Sequence, residues 1–137
     1  MKIKSFKDLE IWQIACALVK KIYRLTKTFP AEEKYVLIPQ IHDAIISVAS
    51  NIAEGFGRYY FKDNIRFQLN ARASLNEVES HILVSETLGY INSNNRKLYE
   101  EILADIVKLG VKINNYIASL KRRDKNGDKI VISSPKL

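Results

Sequence analysis

The sequence predicts an all-α protein: an antiparallel, up-down four-helix bundle followed by a short basic C-terminal extension. Apolar residues recur at the three- and four-residue steps of a helix in four separate segments. The connections between these segments are short, which places sequential helices side by side. Of the 137 residues, 47% are apolar and only 5 are glycine, as expected for a chain with a packed core. We therefore predict a bundle over residues 1–120 and a basic, partly flexible tail over residues 121–137.

The first helix is predicted between Lys7 and Lys27. Ser5 precedes it as a candidate N-cap, and Asp8 follows three positions later, where a carboxylate can meet free backbone N–H groups. The apolar stripe of this helix consists of Ile11, Ala15, Leu18, Ile22 and Leu25.

The second helix follows a break at Phe29-Pro30. Pro39 must lie in its first turn or kink it, because proline lacks a backbone donor and clashes with the preceding turn. The regular helix is therefore expected mainly after Pro39. Its predicted core positions are Leu37, Ile41, Ala44, Ile45, Val48 and Ile52.

Two further helices complete the predicted bundle. Gly55 and Gly57 are expected to loosen the chain before the third helix, and the stretch around Gly89 supplies the turn before the fourth. The predicted core of the third helix is Ile65, Leu69, Leu75, Val78, Ile82 and Leu83. The predicted core of the fourth is Leu98, Ile102, Ile106, Leu109, Ile113, Ile117 and Leu120.

Polar residues form a narrow strip, or ladder, on each of the two middle helices. At about 100° per residue, the residues of one strip lie together on one face of the second helix, and those of the other strip lie together on one face of the third. We hypothesise that the ladders meet in a partly buried seam, where Glu54 and Glu77 find hydrogen-bond donors. The alternative is two hydrated faces without mutual contacts. The ladders are Ser47, Asn51, Glu54 and Arg58 on the second helix, and Asn70, Ser74, Glu77 and His81 on the third.

The second helix also carries more apolar surface than one neighbouring helix can cover. A broad apolar arc with small residues suits close packing inside an assembly, so the sequence predicts a homo-oligomer. The alternative is that the chain's own loops cover this surface. The predicted interface residues are Ile46, Ala49, Ala53 and Phe56.

The net charge of +7 is concentrated at the two ends of the chain, since residues 1–40 and 121–137 each carry +4. In an antiparallel bundle, the start of the first helix and the end of the fourth lie at the same end of the molecule. Basic residues gathered there would attract RNA or DNA phosphates in a salt-sensitive way, unless they only solubilise exposed faces. The candidates are Lys2, Lys4, Lys7, Lys121, Arg122 and Arg123.

Catalytic and metal-binding patterns are weak in this sequence. "GFGRYY" is too short for a Gly-x-Gly-x-x-Gly phosphate turn and follows no strand. Neither His42 nor His81 follows a glutamate by three positions, as di-metal bundles require. Cys16 has no cysteine partner, and charges interrupt the apolar N-terminal segment. We expect a cytoplasmic, nonenzymatic protein without cofactor or metal; the alternative is a metal-binding or enzymatic bundle using Glu54, Glu77 and His81.

The sequence also resembles a known family: four-helix-bundle proteins first noticed as products of intervening sequences inside bacterial large-subunit ribosomal RNA genes. Related members accompany diversity-generating retroelements as accessory variability proteins. The resemblance rests on "FKDLEIWQIA" at 6–15, "FPAEEKYVLIPQI" at 29–41, "SVASNIAEGFGR" at 47–58, "RFQLNARASLNEVES" at 66–80 and "LGYI" at 88–91.

The resemblance implies a nonenzymatic bundle that associates as a ring, commonly a pentamer. For the retroelement branch it also implies binding of nucleic acid and of a reverse transcriptase. The positions carried over from the family motifs fit structural roles at least as well as contact roles. They are Asn51, Glu54, Gly55, Arg58, Ser74 and Glu77.

Overall fold

Four helices form the protein in a computed structural model that describes residues 3–125. Helix α1 spans Glu10–Thr26, α2 Leu37–Phe56, α3 Phe61–Thr87 and α4 Arg96–Lys125. Short 3-10 turns occupy Phe6–Asp8 and Ala31–Glu33, and no strand occurs within the described residues. The predicted all-α four-helix bundle is confirmed.

Each helix packs against its neighbours in sequence, and α1 also packs against α4, which closes the bundle. Two ion pairs fix the direction of that last contact. Lys112 Nζ lies 3.0 Å from Glu10 Oε1, and Lys21 Nζ lies 2.7 Å from Asp105 Oδ2. Since later residues of α1 pair with earlier residues of α4, the two helices are antiparallel. None of the four helices, as far as residues 3–125 describe them, is both long and apolar enough to cross a membrane.

The start of α1 differs from the prediction in one detail. Ser5 and Asp8 do form a capping box, with the Ser5 side chain accepting from the backbone N–H of Lys7 at 3.2 Å and Asp8 from that of Ser5 at 3.2 Å. This box caps the preceding 3-10 turn, however, and α1 itself begins at Glu10. The predicted core positions of α1 are all buried.

Helix α2 begins two residues before Pro39, so the proline lies in the first turn, as one of the two predicted alternatives requires. All six predicted core positions of α2 are buried. The expected loosening at Gly55 is wrong. Gly55 is buried inside α2, and the helix ends at Phe56 with Gly57 as its C-cap.

Helix α3 follows the prediction only in part: Leu75, Val78 and Ile82 are buried, and Ile65 is half-buried against the core. Leu69 and Leu83 are exposed, whereas the polar Asn64, Gln68 and Ser85 are buried. The spacing of the buried residues is the regular alternation of three and four, but polar side chains occupy several of those positions. They are Phe61, Asn64, Gln68, Ala71, Leu75, Val78, Ile82 and Ser85.

Helix α4 follows its predicted stripe closely. Six of the predicted core residues are buried and Leu98 is half-buried against the core. The helix continues to Lys125, five residues past the predicted end of the bundle at residue 120. The rest of the predicted tail, residues 126–137, and Lys2 lie outside the described residues.

Candidate functional site

The two polar ladders meet at one point, between the middle of α2 and the middle of α3. Ser47 Oγ and Ser74 Oγ lie 2.9 Å apart. Asn51 Nδ2 donates to the Ser47 carbonyl at 2.8 Å and lies 3.1 Å from Ser47 Oγ. These contacts bridge two helices with neutral groups only, so this part of the seam offers hydrogen bonds but no charge.

The carboxylates of the ladders are not in the seam. Glu54 is exposed and forms an ion pair with Arg58, four residues later in the chain. Arg58 Nη2 lies 2.7 Å from Glu54 Oε2. Glu77 is exposed as well, and its Oε2 lies 3.3 Å from Nε2 of His81, one turn along α3. The predicted partly buried site for Glu54 and Glu77 is therefore wrong, because each carboxylate is satisfied locally at the surface.

A buried polar network that the sequence analysis missed lies where α2 and α3 come closest. A Cβ on Gly55 would lie 2.6 Å from Gln68 Nε2, 2.7 Å from Asn64 Oδ1 and 2.9 Å from Phe67 Cβ. Gln68 Nε2 donates to the Ile52 carbonyl at 3.1 Å and to Asn64 Oδ1 at 2.9 Å. The absent side chain at residue 55 is thus what allows Gln68 to reach the backbone of α2.

The network continues to α4, because Asn64 Nδ2 donates to the hydroxyl of Tyr116 at 3.2 Å. Burial raises the pKa of Tyr116, which keeps its hydroxyl neutral. One signal for this network was present in the sequence: Asn64 and Gln68 are four residues apart and in phase with Leu75 and Ile82. The block around Gly55 is therefore a packing element that holds α2, α3 and α4 together.

An apolar groove runs between α1 and α2 and has a volume of about 380 Å³. Three of the four predicted interface residues line it, and Ile46 is exposed. The prediction for Phe56 is wrong, because this side chain is only 8% exposed and packs in the chain's own core. The groove is lined by Trp12, Cys16, Val19, Ile46, Ala49, Ser50 and Ala53.

The end of the bundle that carries the α2–α3 turn is rich in cations. We call it the basic end and define it as residues 54–66 and 121–125. These residues include seven cations against three anions, Glu54, Asp63 and Asp124. The cations are Arg58, Lys62, Arg66, Lys121, Arg122, Arg123 and Lys125.

Aromatic rings at the basic end hold several of these cations in place. The guanidinium carbons of Arg58 and Arg66 each lie 4.6 Å from the ring centre of Phe67. That of Arg123 lies 4.9 Å from the ring centre of Phe61, the first residue of α3. The Arg123–Phe61 contact joins the end of α4 to the start of α3, and the two contacts of Phe67 hold Arg58 and Arg66.

The predicted N-terminal cations contribute less to this end than expected. Lys4 and Lys7 are exposed, but Asp8 and Glu10 follow them closely, so residues 3–10 add no net charge. The ion pair between Glu10 and Lys112 places the start of α1 beside Lys112 of α4. Lys121 lies nine residues further along α4, about 14 Å away at 1.5 Å per residue. The positive charge at this end therefore belongs mainly to the α2–α3 turn and to α4.

Groups suited to catalysis or metal binding are not gathered in the part of the chain that the structure describes. Within residues 3–125, no cluster of three or more histidine, cysteine, aspartate or glutamate side chains could hold a metal ion. Cys16 is half-buried in the apolar groove, and burial raises the pKa of its thiol. His42 Nε2 lies 2.9 Å from Thr26 Oγ1, and its ring stacks on Tyr23 at 3.6 Å between centroids.

Fold and surfaces together define a small helical-bundle protein whose distinguishing features are an apolar groove on one side and a basic end. The chain belongs to the family described as the 23S rRNA-intervening sequence protein, which matches residues 7–115. This confirms the family resemblance inferred from the sequence motifs.

A solved structure shares the same fold. It is the crystal structure, at 1.70 Å resolution, of a protein of unknown function of the S23 ribosomal protein family from Bacteroides thetaiotaomicron VPI-5482. The two chains are 24% identical, and the superposition has a TM-score of 0.69 over 78% of this chain and 97% of the other. None of the curated proteins compared with the chain matches it significantly.

Proposed function

We propose that this protein is a nonenzymatic, self-assembling binding protein that holds RNA or DNA against its basic end. The observation that supports this proposal best is the imbalance of charge at that end. Seven cations face three anions there, whereas residues 27–34 and 86–101, at the opposite end of the bundle, contain four cations and five anions. A positive surface concentrated at one end attracts phosphate backbones independently of their sequence.

A titration of a fluorescently labelled RNA hairpin, followed by anisotropy at about 50 and about 200 mM salt, tests this binding. Four phosphate contacts predict that the affinity falls about a hundredfold over that range. The triple variant Lys121→Gln, Arg122→Gln, Lys125→Gln should weaken binding and lower the salt slope by about 0.9 for each phosphate that is no longer neutralised.

The matched control removes three exposed lysines from the opposite end: Lys27→Gln, Lys34→Gln, Lys97→Gln. Both triple variants lose the same charge, so a general effect of net charge would weaken both equally. The proposal requires a clearly larger loss of affinity in the variant of the basic end. It fails if the wild-type protein shows no salt-sensitive affinity for nucleic acid.

We further propose that a second copy of the chain fills the apolar groove between α1 and α2. The chain itself offers an apolar patch, because Val107 and Val111 are exposed and lie one turn apart on α4. Groove and patch are different surfaces, so such a contact is head-to-tail, and a head-to-tail contact closes into a ring when its rotation permits. The pentamer implied by the family resemblance stays a prediction.

Light scattering coupled to size-exclusion chromatography tests the assembly. Ala49→Glu places a charge in the groove and should give monomers with unchanged helix content. The same substitution at the exposed Ala31, outside the groove, should leave the assembly intact. Cys16 should react faster with a thiol reagent in Ala49→Glu, because an assembled groove shields it. A wild-type protein that elutes as a monomer would contradict the proposal.

The nonenzymatic part of the proposal rests on where the reactive groups lie. Glu54 and His81 each have a partner four residues away in the chain, Arg58 and Glu77, and a thiol with a raised pKa is a weak nucleophile at neutral pH. Metal analysis of the purified protein tests the rival function around Glu54, Glu77 and His81. Iron, manganese or zinc bound in a one-to-one ratio would favour that rival.

A further inference from the structure

Two neighbouring tyrosines stand exposed in the middle of the basic end. Tyr59 is 43% and Tyr60 is 65% exposed. Their ring centres lie 4.9 Å apart with the planes at 89°, an edge-to-face contact. Each ring therefore presents a face in a different direction. Large exposed aromatic side chains in a soluble bundle suggest a binding role, since neither ring is used in the core.

The backbone beneath these rings is held firmly. The N–H of Arg58, two residues past the end of α2, donates to the Gly55 carbonyl at 3.0 Å. Tyr60 is the N-cap residue of α3, and its carbonyl accepts the N–H of Asn64 at 3.1 Å. The turn is thus fixed between two helices that the Gly55 contact holds close together. Rings presented on a fixed turn lose little conformational entropy when a ligand binds.

The chain neighbours of the two tyrosines on either side take part in cation–π contacts. Arg58 precedes Tyr59 directly, and its guanidinium lies over the ring of Phe67. On the other side, Phe61 follows Tyr60 directly and lies under the guanidinium of Arg123. Proteins bind single-stranded nucleic acid by combining exposed aromatic rings with a positively charged surface: bases stack on the rings and phosphates meet the cations.

We propose that Tyr59 and Tyr60 stack on unpaired bases, so that the ligand of the basic end is single-stranded or looped nucleic acid rather than a continuous duplex. This inference rests on the proposed nucleic-acid binding and specifies its ligand. In a duplex the base faces are covered by neighbouring base pairs, and an exposed tyrosine finds no face to stack on. Unpaired bases can turn outward and offer one face to each ring.

Anisotropy titrations with a labelled single strand of about 12 nucleotides, and with a duplex of equal length, test this proposal. The wild-type protein should bind the single strand more tightly. The double variant Tyr59→Leu, Tyr60→Leu should lose about tenfold or more in affinity for the single strand, since each stacked base contributes about 1–3 kcal/mol. Its affinity for the duplex should change less than about twofold, and its salt slope should stay the same, because every cation that meets a phosphate is retained.

Two controls separate stacking from other effects. The double variant Tyr59→Phe, Tyr60→Phe keeps both rings and should keep the affinity, which excludes a role of the hydroxyl groups. Tyr35→Leu makes the same substitution at the 83% exposed tyrosine of the opposite end and should have no effect. Thermal melting monitored by circular dichroism should show all variants folded, as expected for exposed positions.

Two results would overturn the stacking proposal while leaving the proposed function in place. One is an unchanged affinity of the double leucine variant for the single strand, and the other is an equal loss for single strand and duplex. A wild-type protein that binds neither ligand would overturn both proposals at once. A selective loss for the single strand, with the phenylalanine variant intact, is the result that supports stacking.

Discussion

The two ends of the bundle use their polar groups in opposite ways. At the basic end, cations outnumber anions by seven to three, and two tyrosine rings are exposed. At the opposite end, four cations stand against five anions, and the polar groups bind one another. Both ends consist of helix termini and connections, so the difference lies in the side chains placed there rather than in the backbone.

At the opposite end, internal hydrogen bonds join the α1–α2 and α3–α4 connections. Asn95 is buried, and its Nδ2 donates to Thr28 Oγ1 at 2.8 Å and to the Tyr90 carbonyl at 3.0 Å. The Tyr90 hydroxyl donates to the carboxylate of Glu33, and this hydrogen bond raises the pKa of Tyr90 to about 12. These polar groups are hydrogen-bonded within the chain. We infer that the opposite end serves to join the two connections and close the bundle.

The largest loss of stability is expected for Gly55→Ala, at the buried contact between α2 and α3 in the basic end. The new Cβ would lie 2.9 Å from Phe67 Cβ, which cannot move away without a shift of α3. We expect a loss of about 2–3 kcal/mol in the free energy of unfolding, measured by urea denaturation. Gly57→Ala is the control. Its Cβ would meet nothing closer than 3.6 Å, so stability should change by less than about 0.5 kcal/mol.

At the opposite end, Asn95→Ala should lower the free energy of unfolding by about 2 kcal/mol. The substitution removes both hydrogen bonds that the side-chain amide donates. It also removes the Asn95 oxygen that accepts the backbone N–H of Asn92 at 2.7 Å, so that N–H loses its partner. The neighbouring exposed Asn94→Ala should stay within about 0.5 kcal/mol of the wild type. Equal denaturation midpoints for the two variants would contradict the role assigned to this network.

A dependence of stability on pH should come from His42, close to the opposite end. Burial lowers its pKa below the usual 6.5, and the nearby Asp43 opposes this only partly. The folded chain thus holds the neutral ring, while the unfolded chain takes up a proton near pH 6.5. The stabilisation is complete above pH 6.5 and is lost as the pH falls towards the folded pKa.

Urea denaturation at a series of pH values from about 7 to about 5 measures this effect. His42→Phe retains a ring over Tyr23 but cannot titrate, so its stability should fall less steeply with acid than that of the wild type. Parallel curves for the two proteins would show that His42 is not the source of the acid sensitivity.

The smallest effect is expected for Glu54→Gln at the basic end. The Glu54–Arg58 pair is exposed, and such pairs contribute about 0–1 kcal/mol to stability. The free energy of unfolding should therefore change by less than about 0.5 kcal/mol. Glu86→Gln offers the contrast at the opposite end. Glu86 accepts from Arg96 at 2.9 Å and from the Tyr99 hydroxyl at 3.0 Å, and the bond from Arg96 is the main reason its pKa is lowered. The Glu86 variant should therefore be the less stable of the two.

The sequence predicted the helices with strong apolar periodicity and was weaker where polar residues enter the core. The stripes of α1, α2 and α4 were identified nearly residue by residue. On α3, periodicity predicts Leu75, Val78 and Ile82 correctly but also places Leu69 and Leu83 in the core, whereas Asn64 and Gln68 are buried and those two leucines are exposed. Hydrophobicity alone could not select them, because a buried amide is tolerated only when a partner exists. Here Gln68 bonds the α2 backbone and Asn64 bonds Tyr116 of α4.

The candidate surfaces divide in the same way. The excess of positive charge can be predicted from residue counts, and the surplus of apolar surface on α2 can be predicted from residue spacing. Three features emerge only from the packed helices: Phe56 turns into the core, Glu54 and Glu77 stay at the surface, and the adjacent Tyr59 and Tyr60 rings are both exposed.

The sequence by itself determined four amphipathic helices, their order and an uneven distribution of charge, since these depend on local periodicity and composition. The tertiary structure decided which face of α3 is buried, where the groove opens and which charges share an end. The physical reason is that these features depend on distances between helices, above all on the close approach at Gly55, and no local pattern sets those distances.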